Sequence, residues 1–237
     1  MPEVKTWLVP REKEGDIVAI AQHIKEVVKL KAKGEIEAGV SGVQNEPWFI
    51  EKHLEVVEDR VNWVLDNCSG AEGVDRNEAL IATWTHDLGR IMGWNDSHAG
   101  VSALKTRQWL LDNGLGQEIA DRIFNANLRH GAQDRQQPEK QLERVIASAD
   151  ALSHFDGCES GSMEDFLERK GFWYLFWLDG IKKGSSDEQI LKRSFKKMGR
   201  DASSKQGFKE SKERAEKECE FLRNNASGIL QRIRRGI

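Results

Sequence analysis

The sequence predicts an all-α fold. Nearly every segment repeats its apolar residues with helical period, and the alternating apolar and polar stretches that mark strands are essentially missing. The four prolines, Pro2, Pro10, Pro47 and Pro138, all fall where a helix could start or stop. A chain of 237 residues can bury a substantial core, and this one reads as a single helical domain, residues 1–237, rather than two.

A first helix is expected over about residues 12–33, with Ile17, Ile20, Ile24, Val27 and Val28 as its apolar stripe. A connection rich in glycine (Gly34, Gly39, Gly42) follows, and Pro47 opens a helix to about residue 67 with Val57, Val61 and Val64 on one face. Residues 67–75 form a polar loop, 76–91 a short buried helix and 93–97 another loop. Ser97 or His98 caps a helix ending near Gly114, and two more helices cover 117–130 and 138–155, joined by the polar loop 131–137. The remainder, about 162–237, differs in flavour. It holds an aromatic block (Phe172, Trp173, Tyr174, Phe176, Trp177) and a basic stretch over 192–214. A terminal helix then carries Ala215, Cys219, Leu222, Ala226, Leu230 and Ile233 at helical spacing, a stripe suited to docking on the main body.

Composition excludes several classes. Charged residues are 32% and apolar residues 38% of the chain, which is ordinary for a globular protein and unlike a disordered one. A formal net charge of -3 gives no reason to expect nucleic acid or an anionic membrane as partner. The amino terminus lacks the apolar core of a signal peptide, and the longest apolar stretches are too short to span a bilayer. Cys68, Cys158 and Cys219 are odd in number and far apart, so they form neither a disulfide framework nor a CxxC site. They read as reduced, packed side chains, and a cytoplasmic location is expected. The sequence carries no signal of oligomeric state.

The histidines carry the chemistry. His53 shares a helical face with Val57, Val61 and Val64, and His130 ends the stripe of Ile119, Ile123 and Ala126. Asp150 continues the stripe of Leu142 and Ile146, while His86 and Asp87 follow Leu80, Ile81, Ala82 and Trp84. Ionisable groups aimed into a core are costly unless something compensates them. Three imidazoles and two carboxylates converging there are best explained by a divalent cation. Their nitrogen and oxygen donors suit Mn, Fe, Co, Ni or Zn, with Mg possible, and disfavour Ca.

His53, then His86-Asp87 at the end of residues 80–90, then His98, His130 and Asp150 together resemble the HD-domain superfamily, whose ligand order is His, His-Asp, Asp. Residues 145–152 also resemble the family's final motif, an apolar helix carrying the last Asp before Ala and Leu, and the resemblance covers about residues 50–157. It implies an HD helical bundle over about 46–157 with a C-terminal helical extension over about 162–237. It also implies that His53, His86, Asp87 and Asp150 hold a metal that activates water and polarises a phosphate ester. His98 and His130 match the extra histidines of binuclear branches, among them cyclic-nucleotide phosphodiesterases, HD-GYP proteins and inositol oxygenase. Two ions are therefore expected, with Asp87 as the bridge and the catalytic residue that orients water.

The expected activity is hydrolysis of a phosphomonoester or phosphodiester on a nucleotide or another small phosphorylated metabolite. The alternatives are a mixed-valent di-iron oxygenase on the same six ligands and a catalytically silent nucleotide-binding module. The Gly-Tyr-Pro motif of HD-GYP proteins is missing, which speaks against cyclic di-GMP. Arg90, one turn after Asp87, and Arg129, before His130, are weak candidates for holding phosphate, with surface salt bridging as the plainer role. His154 reads as packing or support behind a ligand, and His23 as structural. The stretch 192–214, interspersed with Asp201 and Glu210, reads as a solvated face, and the aromatic block as core.

Overall fold

A computed structural model describes residues 8–37, 49–92, 98–131 and 138–236, and these fold as helices joined by turns, with no strand among them. After a 3₁₀ turn at Arg11–Lys13 comes α1 (Ile17–Glu37), and a wide turn at Phe49–Leu54 runs into α2 (Glu55–Asn67). Next are α3 (Arg76–Thr85), α4 (Leu88–Ile91), α5 (His98–Asp112), α6 (Gln117–Arg129) and α7 (Gln141–Ser153). The extension adds α8 (Met163–Arg169), α9 (Phe172–Lys182), α10 (Asp187–Ser203) and α11 (Lys209–Arg235). The expectations that fall on Gly39, Gly42, Pro47, Ser97 and most of the 131–137 loop lie outside the described residues.

Local chemistry explains the boundaries. The first helix begins at Ile17 instead of residue 12, because Gly15 takes a left-handed φ of 77 and interrupts the chain. Asp16 then restarts it, its Oδ1 accepting from the N–H groups of Val18 and Ala19 at 3.0 and 3.3 Å. Asp75 does the same for α3, accepting from Asn77 and Glu78. Ser186 and Gln189 cap α10 reciprocally.

The expected helix over 76–91 is broken in two. α3 ends at Thr85, Asp87 leaves the helical region (φ -104, ψ 14), and α4 restarts behind it. A side chain of another helix fixes this break, as Gly89 N–H donates to Ser102 Oγ of α5 at 2.8 Å.

The most enclosed element is α7, in which every residue from Val145 to Ser153 is buried. A helix buried all round must be covered on all sides. α2, α3 and α6 pack on it from the first part of the chain, and α10 and α11 from the extension. The α11 stripe of Ala215, Cys219, Leu222, Ala226, Leu230 and Ile233 is wholly buried, as its spacing predicts. One apolar cluster runs from Val9 to Ile233 and takes in both parts of the chain. In the aromatic block Trp173 and Trp177 are core, while Phe172, Tyr174 and Phe176 are only partly covered. The three cysteines are free and buried. Among the described residues no helix is long and apolar enough to cross a membrane.

Candidate metal centre

Five stretches of chain bring six donors to one place. His53 comes from the turn before α2, and His86 and Asp87 from the break between α3 and α4. His98 opens α5, His130 ends α6, and Asp150 projects from α7. None of the six is more than 6% exposed. The break matters because it frees Asp87 from helix geometry. Asp87 stands where a capping residue would, yet its carboxylate caps nothing and turns to the imidazoles instead.

The two oxygens of Asp87 face different partners. Oδ2 lies 3.7 Å from His53 Nε2 and 3.7 Å from His86 Nε2. Oδ1 lies 3.3 Å from His98 Nε2, 3.6 Å from His130 Nε2 and 3.1 Å from Arg90 Nε. Asp150 Oδ1 completes the first group, 3.5 Å from His53 Nε2 and 3.8 Å from His86 Nε2.

The far side of each ring fixes its proton. Thr83 O lies 2.7 Å from His86 Nδ1, and Asn127 O lies 2.6 Å from His130 Nδ1. A carbonyl can only accept, so both Nδ1 atoms carry a hydrogen and both Nε2 atoms face the site. His53 is set likewise. Ser153 Oγ donates its single hydrogen to Asp150 O at 2.7 Å, so it accepts from His53 Nδ1 at 3.3 Å. Asn127 also donates from its amide to Thr85 Oγ1 and Thr106 Oγ1, which ties α6 to α3 and α5 behind the rings.

The charge states suit a cation. Burial pushes the His86 imidazole down to about 4, so at neutral pH it is uncharged. Burial alone would raise Asp87, but His86, Arg90 and His130 outweigh it and hold the carboxyl well below its usual range. For Asp150, Lys205, His53 and His154 likewise outweigh burial. Ionised carboxylates beside neutral imidazoles are the metal-binding forms of both groups. Among the buried polar atoms of the described residues that lack a hydrogen-bond partner is His86 Nε2, at the centre of the donors. Such an orphan acceptor costs about 1–3 kcal/mol, and a cation on it would remove that cost.

Of the remaining residues marked in the sequence, Arg90 pairs with buried Asp87 and not with a surface carboxylate. Arg129 is engaged by Glu143 and Glu139, at 3.0 and 3.3 Å. His154 does stand behind a ligand. Its Nε2 is 4.0 Å from Asp150 Oδ1, its ring stacks on His53, and its Nδ1 meets Asp201 Oδ2 at 2.9 Å. The basic stretch departs from expectation. Lys192, Arg193 and Lys196 are solvated, but Asp201 is fully buried and Lys205 is 5% exposed. Lys205 Nζ lies 2.9 Å from Asp150 Oδ2, and Lys197 Nζ 2.7 Å from Asp201 Oδ2. A signal for Asp201 exists in the sequence. It follows Ile190, Ser194 and Met198 on one helical face, the same test that singles out Asp150.

These facts define an all-helical protein with buried His and Asp groups that could hold a metal ion. The donor atoms of His53, His86 and Asp150 lie within 4.8 Å of one another, as do those of His86, Asp87 and His130. Compared with protein-family models, with curated proteins and with solved structures, the chain finds no match.

Proposed function

We propose that this chain is a metal-dependent phosphohydrolase of the HD-domain type, acting on a nucleotide or another small phosphorylated metabolite. The observation that carries this reading is the carboxylate of Asp87, one oxygen toward His53 and His86 and the other toward His98 and His130. His53, His86, Asp87 and Asp150 would hold one divalent cation, and Asp87, His98 and His130 a second. A divalent cation held there supplies Lewis acidity and lowers the pKa of water.

The chain's own residues do the rest. The carbonyls of Thr83 and Asn127 hold the rings of His86 and His130 so that their Nε2 atoms face the site. Asp87, held ionised, would accept a hydrogen bond from the attacking water. Arg90, with its side chain 35% exposed at the rim, leaves guanidinium donors for a phosphoryl oxygen.

Elemental analysis of protein purified without added metal, followed by a screen against an aryl phosphate, its bis-ester and a nucleotide panel with Mn, Co, Ni and Mg, tests the reading. Metal uptake and activity abolished by chelation are expected. A fully metallated chain inert on all substrates overturns it. Two irons that consume oxygen and give a mixed-valent paramagnetic signal would make the protein an oxygenase.

A further inference from the structure

We infer that Lys205, carried by the C-terminal extension, binds the phosphoryl group of the substrate beside Asp150, so that the extension forms part of the active site. This rests on the metal-centre reading above. Asp150 turns Oδ1 toward His53 and His86 and Oδ2 toward Lys205 Nζ at 2.9 Å. The ammonium therefore sits one carboxylate's width from the donors.

The position is built. Lys205 lies in the short link between α10 and α11, and hydrogen bonds fasten that link to α7. Gly207 N–H donates to Ser148 Oγ of α7 at 2.8 Å, and Gly207 O accepts from the Arg144 guanidinium. A Cβ at Gly207 would meet Arg144 Cβ at 2.5 Å, so glycine permits the approach. The Gln206 amide donates to Asp201 O at 2.8 Å. An ammonium has three N–H donors, and among the described residues Lys205 makes one hydrogen bond, to Asp150. Burying a lysine for one carboxylate costs more than a surface ion pair returns. Two donors remain for a ligand.

The charge count points to an anion. Asp87 is paired with Arg90, Asp150 with Lys205 and Asp201 with Lys197. Each carboxylate already has a cation of its own. Any divalent ion therefore leaves the site with surplus positive charge, which a phosphoryl group meets and a neutral substrate does not.

The test uses the full-length chain loaded with Mn, with inorganic phosphate as the probe in titration calorimetry. Metal uptake by the unmutated chain is measured first and tests the metal-centre reading separately. Its absence overturns both readings. Lys205→Gln keeps an N–H for Asp150 and removes the charge; Lys205→Met, of similar length, removes both. The expected result is unchanged metal content in both variants and phosphate affinity lower by about tenfold or more, equivalent to about 1.4 kcal/mol, with KM raised more than kcat is lowered. Lys212→Met, at an exposed ion pair with Glu216, is the control and should match the unmutated chain. Phosphate affinity equal to the unmutated chain's in both variants overturns the inference. So does loss of metal in step with phosphate, which would make Lys205 a positioning residue for Asp150. A metallated unmutated chain that binds no phosphate overturns it too and leaves the metal centre standing.

Discussion

His86 has no exposed surface, its Nδ1 is committed to Thr83 O, and its Nε2 has no hydrogen-bond partner. Replacing it with alanine removes the donor common to both candidate ligand groups, so His86→Ala should lose nearly all bound metal by elemental analysis. The folded chain should then no longer gain thermal stability from added Mn, a gain worth about 4 kcal/mol at a thousandfold excess over Kd. The same residue sets a pH dependence. Burial lowers both His86 and His154 from 6.5 to about 4, so the unfolded chain binds these protons more readily than the folded one. Stability from each imidazole is thus fully present above pH 6.5 and is lost as pH falls toward 4, by about 3 kcal/mol per ring at about 1.4 kcal/mol for each tenfold in proton affinity. Urea midpoints of the chelated protein should fall across that window. In His154→Gln the fall should be shallower. An unchanged slope would mean that His154 is not held neutral in the folded chain.

Among elements, the pairing of α4 with α5 governs one half of the site. A Cβ at Gly89 would stand 2.4 Å from His98 O and 2.8 Å from His98 Cα, so the glycine after Leu88 is what lets α5 start against α4. Gly89→Ala should push His98 outward and cost about 1–3 kcal/mol of stability; if two ions bind as proposed, it should also reduce metal stoichiometry from two to one while the His53 side stays filled. Retention of both ions would show that His98 is not a ligand. The helices themselves were legible, because apolar spacing states which face is buried, and that spacing exposed His53, His130 and Asp150 directly. The break at His86-Asp87 was not. Its apolar pattern continues unbroken through residue 91, and the bond that stops the helix comes from Ser102, on another element. Lys205 was hidden for a related reason. It sits outside any helix amid exposed lysines and arginines, and partners some 55 to 63 residues away place it.

At the scale of the molecule, α7 is clasped between the first part of the chain and the extension, and the apolar cluster is continuous through it. The extension should therefore unfold with the rest. Leu222→Ala in α11, fully buried, should lower stability by about 2–5 kcal/mol, with helix loss by circular dichroism and tryptophan fluorescence changing at one denaturant midpoint. Two separated midpoints would show an extension that melts on its own. The buried cysteines have a further consequence. Cys68 follows α2, Cys158 follows α7 and Cys219 lies on α11, and burial raises all three thiols above their usual range, Cys68 to about 11. A thiol that is both covered and protonated cannot attack an alkylating reagent. Each sulfur therefore acts as a clock that starts only when its own layer opens. With a fast reagent in native buffer, the three labelling rates, resolved by peptide mass, should coincide if opening is global. A faster Cys219 would instead time the peeling of α11 away from α7.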